Sequence, residues 1–125
     1  MFERFVGLLL TSRNIAHKDH WATASYAEHM ALDGFYNGII GLTDDLVEMY
    51  QGRNGKLKAI PIIDEPDTGK PLDTLVTHLK WLEDTRYSVV PKDDTALQNQ
   101  IDEIVALYLS TIYKLRELQI GRAHV

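Results

Sequence analysis

The sequence predicts an all-α fold, a bundle of four helices, on three observations. Four stretches repeat apolar residues at three- and four-residue intervals, the period of a helix with one buried stripe. Serine, aspartate, proline and glycine stand at the ends of those stretches, where helices start and stop. The links between them are short except one, which runs for about twenty residues without helical period. No strand signal competes, since "AIPII" is short and contains Pro61.

The first helix is read over roughly residues 2–22, with Phe2, Phe5, Val6, Leu9, Ala16 and His20 on one side. Ser25-Tyr-Ala-Glu28 has the form of a capping box and opens a second helix over 26–51, closed by Gly52. The long link follows, with Pro61, Pro66 and Pro71. Pro71 suits a first helical position, and Leu72, Leu75, Val76, Leu79 and Leu82 carry a third helix to about Tyr87. Pro91 breaks the chain, and Asp93 or Asp94 caps a fourth helix. Its stripe is Leu97, Ile101, Ile104, Val105, Tyr108 through its ring, Ile112 and Leu115. One long crossover between helices 2 and 3 is the arrangement of a ferritin-like bundle, whereas an up-down-up-down bundle needs none.

A chain of 125 residues fits one domain with one core, assigned to residues 1–119. The last six residues, "IGRAHV", read like a translated frame of a sequencing adapter, so Ile120–Val125 is set aside as non-native and His124 with it. The chain has no cysteine, which excludes disulfides and thiolate chemistry. Any metal would therefore use histidine, carboxylate or backbone oxygen. A net charge of −5 argues against a nucleic-acid footprint. The apolar run Phe5–Leu10 is too short to span a membrane and no cleavage site follows it, so a cytoplasmic protein is expected.

The second helix sorts into three faces at 100° per residue. With His29 at zero, Leu32, Phe35, Ile39, Leu42 and Leu46 fall between about −60° and −140°, the core side. Gly34, Gly38 and Gly41 fall between about 120° and 180°. His29, Asp33, Asp44 and Glu48 fall between 0° and about 100°. They form two pairs four residues apart, His29/Asp33 and Asp44/Glu48, and each pair can meet at one metal ion. Asp33 and Asp44 lie about 16 Å apart along the axis, so a single helix cannot unite the pairs. An antiparallel second copy, with a two-fold axis near Gly38, would lay one pair against the other and use the glycines for close approach. The plainer alternatives are a solvated polar face and a kink. His17 and His20 add imidazoles on the first helix, whereas His78 reads as an exposed surface histidine. Asp102 and Glu103 read as an ordinary polar face.

The order "H-W", "H-x-x-x-D-G-F", "D-x-x-x-E" resembles that of the Dps-like miniferritins of the ferritin-like superfamily. It is carried here by His20-Trp21, by His29 to Phe35 and by Asp44 to Glu48. "YAEHMALDGFY" and "EMYQG" are also similar to a small ferritin-like family of tailed phages. The resemblance implies a ferroxidase centre for one or two irons at a dimer two-fold. His20, with His17 as the alternative, His29 and Asp33 would come from one chain, and Asp44 and Glu48 from its partner. It further implies oxidation of Fe(II) by peroxide or oxygen, mineral storage in a dodecameric shell, and protection from oxidative damage. Trp21 would absorb stray oxidising equivalents, unless it is only a packing anchor. The basic tail that serves DNA binding in such proteins is absent. Zinc or manganese suits the same ligands. The competing expectation is an inactive structural or interaction module, perhaps phage-encoded.

Overall fold

A computed structural model describes residues 1–119. Four helices account for the regular structure among them: α1 Phe2–Ala22, α2 Tyr26–Asn54, α3 Pro71–Val89 and α4 Thr95–Glu117. The described residues contain no strand.

The ends of the helices follow local chemistry. Ser25 Oγ accepts from the Glu28 N–H at 3.2 Å and starts α2. The box is half formed, because the Ser25 N–H donates to Thr23 Oγ1 instead of to Glu28. The α2 helix does not stop at Gly52. It runs to Asn54 and ends at Gly55, whose φ of +86° favours glycine. Pro71 opens α3, which continues two residues past Tyr87 to Val89. Val90 is extended, as a residue preceding proline must be. Asp94, not Asp93, caps α4 by accepting from the Leu97 N–H. Its carboxylate also takes two hydrogen bonds from Arg53 at 3.0 Å, which hold it below the usual carboxylate range.

The apolar stripes meet in one core. Phe2, Phe5, Leu9, Leu32, Phe35, Ile39, Leu46, Leu75, Leu82 and the whole α4 stripe are buried, while Val76 faces outward. Helix α1 packs on α2 and α3, and α4 packs on the same two. Side-chain pairs show that each neighbour runs antiparallel. Phe2 stacks on Tyr50 and His20 on His29 across α1 and α2. Phe5 meets Trp81 and Ser12 meets His78 across α1 and α3. Ser25 reaches Gln119, and Gln100 reaches Leu42, across α2 and α4. Residues 55–70 then follow α1 from end to end. The Lys58 N–H donates to Glu3, Pro61 lies against Gly7, and the Asp67 carboxyl stands close enough to Asp19 to raise its pKa.

Three expectations fail here. His78 is buried at 3% exposure, because it sits on the same stripe as Leu75 and Leu82 and finds polar partners there. Asp102 is more than a polar face: it accepts from the buried Arg86 at 2.7 Å, beside Gln98. The glycines do not share one open face either. A Cβ at Gly38 would come within 3.2 Å of Leu107 on α4, whereas Gly34 and Gly41 have nothing within 4 Å.

Candidate functional site

The α1–α2 end gathers imidazoles because the turn at 23–25 folds α2 back along α1. The rings of His20 and His29 stack with centroids 3.7 Å apart. Each ring is fixed by the other residue's backbone: His20 Nδ1 donates to the His29 carbonyl at 2.7 Å, and His29 Nδ1 to the His20 carbonyl at 2.8 Å. A carbonyl only accepts, so both Nδ1 atoms carry hydrogen and both neutral rings keep a lone pair on Nε2. That is how metal-binding histidines are commonly held, with one nitrogen donating to a carbonyl and the other left for the metal.

Asp33 lies one turn along α2 from His29. Its Oδ1 accepts from Tyr36 Oη at 3.1 Å and from Asn37 Nδ2 at 3.2 Å, which leaves Oδ2 uncommitted. Burial, then the bond to Asp33, hold the Tyr36 phenol above its ordinary pKa. The Tyr36 ring stacks on His17 at 3.9 Å. Trp21 lies 4.2 Å from His17 and is 69% exposed. The tryptophan thus neighbours His17 rather than His20, although His20 is the imidazole that pairs with His29.

Asp44 and Glu48 stand exposed further along α2, and their side chains make no hydrogen bond or ion pair among the described residues. Within the single chain, no three His, Asp or Glu side chains among the described residues converge closely enough to hold a metal ion. The structure therefore brings together His17, His20, His29, Asp33 and Trp21, and keeps Asp44 and Glu48 apart from them. His124 lies outside the described residues.

Sequence reasoning missed a second polar group. Tyr108 Oη, Ser12 Oγ, His78 and Glu65 form one buried chain of hydrogen bonds. Two signals pointed to it. Ser12 stands between Leu9 and Ala16 on the α1 stripe, and His78 between Leu75 and Leu82 on the α3 stripe. It also missed Asp19, buried at 4% exposure with Oδ2 lacking a donor. Burial foremost, then the nearby carboxyl of Asp67, push its own carboxyl up to about 7.

Among the described residues, no helix is long and apolar enough to cross a membrane. Residues 20–115 match a family described as one of unknown function, DUF5856. The chain is also 32% identical over 114 residues to an uncharacterized 14.6 kDa protein from the mobD–ri intergenic region of Enterobacteria phage T4, across 90% of this chain and 86% of that protein. No solved structure matches. These findings overturn the miniferritin resemblance: the chain matches a family of unknown function and an uncharacterized phage protein, and no Dps or ferritin family is among the matches. The phage association does agree with the relative found. With most of its length inside the match, the chain belongs to the family of unknown function DUF5856.

Proposed function

We propose that the protein binds Fe(II) between two antiparallel copies of α2, in the cytoplasm, and oxidises it there with peroxide or oxygen. The observation that carries this reading is the reciprocal locking of His20 and His29, which leaves two Nε2 lone pairs free, with the oriented Asp33 carboxylate one helical turn from His29. The donor set fits: imidazole nitrogen and carboxylate oxygen suit Fe(II), and zinc and manganese by the same chemistry. The single chain offers an incomplete set, and the unpaired Asp44 and Glu48 of a second copy supply what is missing. Open space over Gly34 and Gly41 supports close approach of that copy. Trp21, exposed beside His17, is an oxidisable ring at the edge of the cluster, and Tyr36 lies closer, bonded to Asp33. The path of residues 55–70 along α1 supports a bundle of ferritin-like topology, in which the long link is the crossover.

Anaerobic Fe(II) titration, followed by peroxide addition, tests the proposal. Wild-type protein should bind and oxidise iron, and Asp33→Ala or Glu48→Ala should abolish both. Mixing the two variants should restore activity to about a quarter of wild type, because half the dimers are mixed and each then has one intact site. A folded dimer that binds no Fe(II) would refute the reading. A second reading, a module that associates through α2 without metal, is favoured by the lack of a three-ligand group among the described residues of one chain. Under it, EDTA leaves self-association and stability unchanged.

A further inference from the structure

The buried chain of hydrogen bonds has a direction. Tyr108 is fully buried, and its Oη lies 2.6 Å from Ser12 Oγ. Ser12 Oγ lies 2.6 Å from His78 Nδ1, and His78 Nε2 lies 2.7 and 2.9 Å from the two oxygens of Glu65. A carboxylate only accepts, so Nε2 carries the hydrogen, and in the neutral ring Nδ1 is then the acceptor. Ser12 must then donate to Nδ1, and Tyr108 must donate to Ser12. Every proton points from the core towards Glu65, whose side chain is 33% exposed on the 55–70 segment. The chain thus links the middle of the bundle to solvent.

A second feature connects Tyr108 to the histidine cluster. Phe35 meets the Tyr108 ring edge-on at 4.9 Å. Its neighbour in sequence, Tyr36, stacks on His17, which in turn touches Trp21. Two neighbouring residues of α2 thus carry the two contacts, Phe35 against the buried phenol and Tyr36 against the imidazoles of the α1–α2 end. Burial raises the pKa of that phenol far above its ordinary value, so it does not ionise on its own. It can give up an electron only together with its proton, and the chain supplies a place for the proton to go.

We propose that Tyr108 is a redox-active tyrosine whose proton leaves through Ser12 and His78 to Glu65. A one-electron oxidant, the class of equivalent that Fe(II) and peroxide generate, takes one electron from the phenol. The phenolic proton passes to Ser12 Oγ as the Ser12 proton passes to His78 Nδ1 and the Nε2 proton passes to Glu65. The products are a neutral Tyr108 radical, a protonated Glu65 and the oxidant reduced by one electron; no carbon bond is made or broken. One electron returned, with the protons shifting back, resets the residue. An oxidising equivalent is thereby held inside the core instead of on exposed Trp21. The identity of the physiological oxidant rests on the iron reading above; the redox role of Tyr108 does not.

The experiment uses metal-free, full-length protein and photogenerated tris(bipyridine)ruthenium(III) as oxidant, with electron paramagnetic resonance as the readout. Wild-type protein should give a long-lived tyrosyl signal that is lost in Tyr108→Phe, with helicity unchanged by circular dichroism. Glu65→Gln keeps an acceptor for His78 but cannot take the proton. It should slow formation of that signal about a hundredfold, the low end of what a positioned proton acceptor contributes. His78→Gln should do the same. A purely structural network would leave the signal intact in Glu65→Gln. Equal signals in wild type and Tyr108→Phe, or equal rates in wild type and Glu65→Gln, would overturn the proposal. Because no iron is present, loss of Fe(II) oxidation in a separate assay would sink the functional reading while leaving this one standing, and the reverse holds too.

Discussion

Alanine at three helical glycines should change stability with opposite signs. In a helix interior alanine is worth about 1 kcal/mol more than glycine, and it also narrows the unfolded ensemble. Gly34 and Gly41 have no atom within 4 Å of an added Cβ, so the gain is uncontested. At dilutions where the chain is monomeric, each of Gly34→Ala and Gly41→Ala should stabilise it by about 0.5–1 kcal/mol. At Gly7 the added Cβ would stand 2.8 Å from the Pro61 carbonyl oxygen and 3.4 Å from its Cγ. That oxygen belongs to backbone tethered on either side, by Lys58 to Glu3 and by Glu65 to His78. Relief therefore requires the whole segment to move. Overpacking of this kind costs about 1–3 kcal/mol, which outweighs the helical gain. Gly7→Ala should lower stability by about 1–2 kcal/mol and the midpoint of thermal unfolding by several degrees. Urea unfolding of the four proteins at matched concentration reads all three signs. If Gly7→Ala gains stability as Gly34→Ala does, the segment does not press on α1 as described.

Two further outcomes follow from the same residues. Gly41→Leu should leave the chain folded, since its side chain enters open space, yet weaken self-association through α2 in sedimentation measurements; undiminished association would place the interface elsewhere. Asp19 is raised from 3.8 to about 7, so between those pH values the folded chain keeps a proton that the unfolded chain has lost, and stability falls as pH rises through that window. Metal-free Asp19→Asn should remove this slope and be more stable than wild type above the window by about 2–4 kcal/mol; parallel profiles of the two proteins would show that Asp19 is not held protonated.

Helical periodicity and end signals were enough to place all four helices, because each rule is local. A stripe needs only its own spacing, Ser25 and Asp94 cap the turns that follow them, and Pro71 and Pro91 act on adjacent residues. The end of α2 was misplaced because Gly52 and Gly55 are both eligible stops, and only the backbone angle distinguishes them. The candidate ligand face was legible in the same way, as angular positions of His29, Asp33, Asp44 and Glu48 on one helix. Lineage was not legible: the short motifs suggested one family, and the match over residues 20–115 is to another, of unknown function.

What the sequence by itself determined was which residues lie on which face of each helix. Tertiary structure alone decided what those faces meet. His78 looked like a surface histidine until Ser12 and Glu65, from two other segments, closed on its two nitrogens. His20 and His29 were separate candidates until the turn at 23–25 placed each ring on the other's carbonyl. Gly7 was an interruption in an apolar run until Pro61 came to rest against it. The physical reason is common to all three. Helix formation depends on neighbours in sequence, whereas the state of a buried polar group depends on donors and acceptors delivered from elsewhere in the chain.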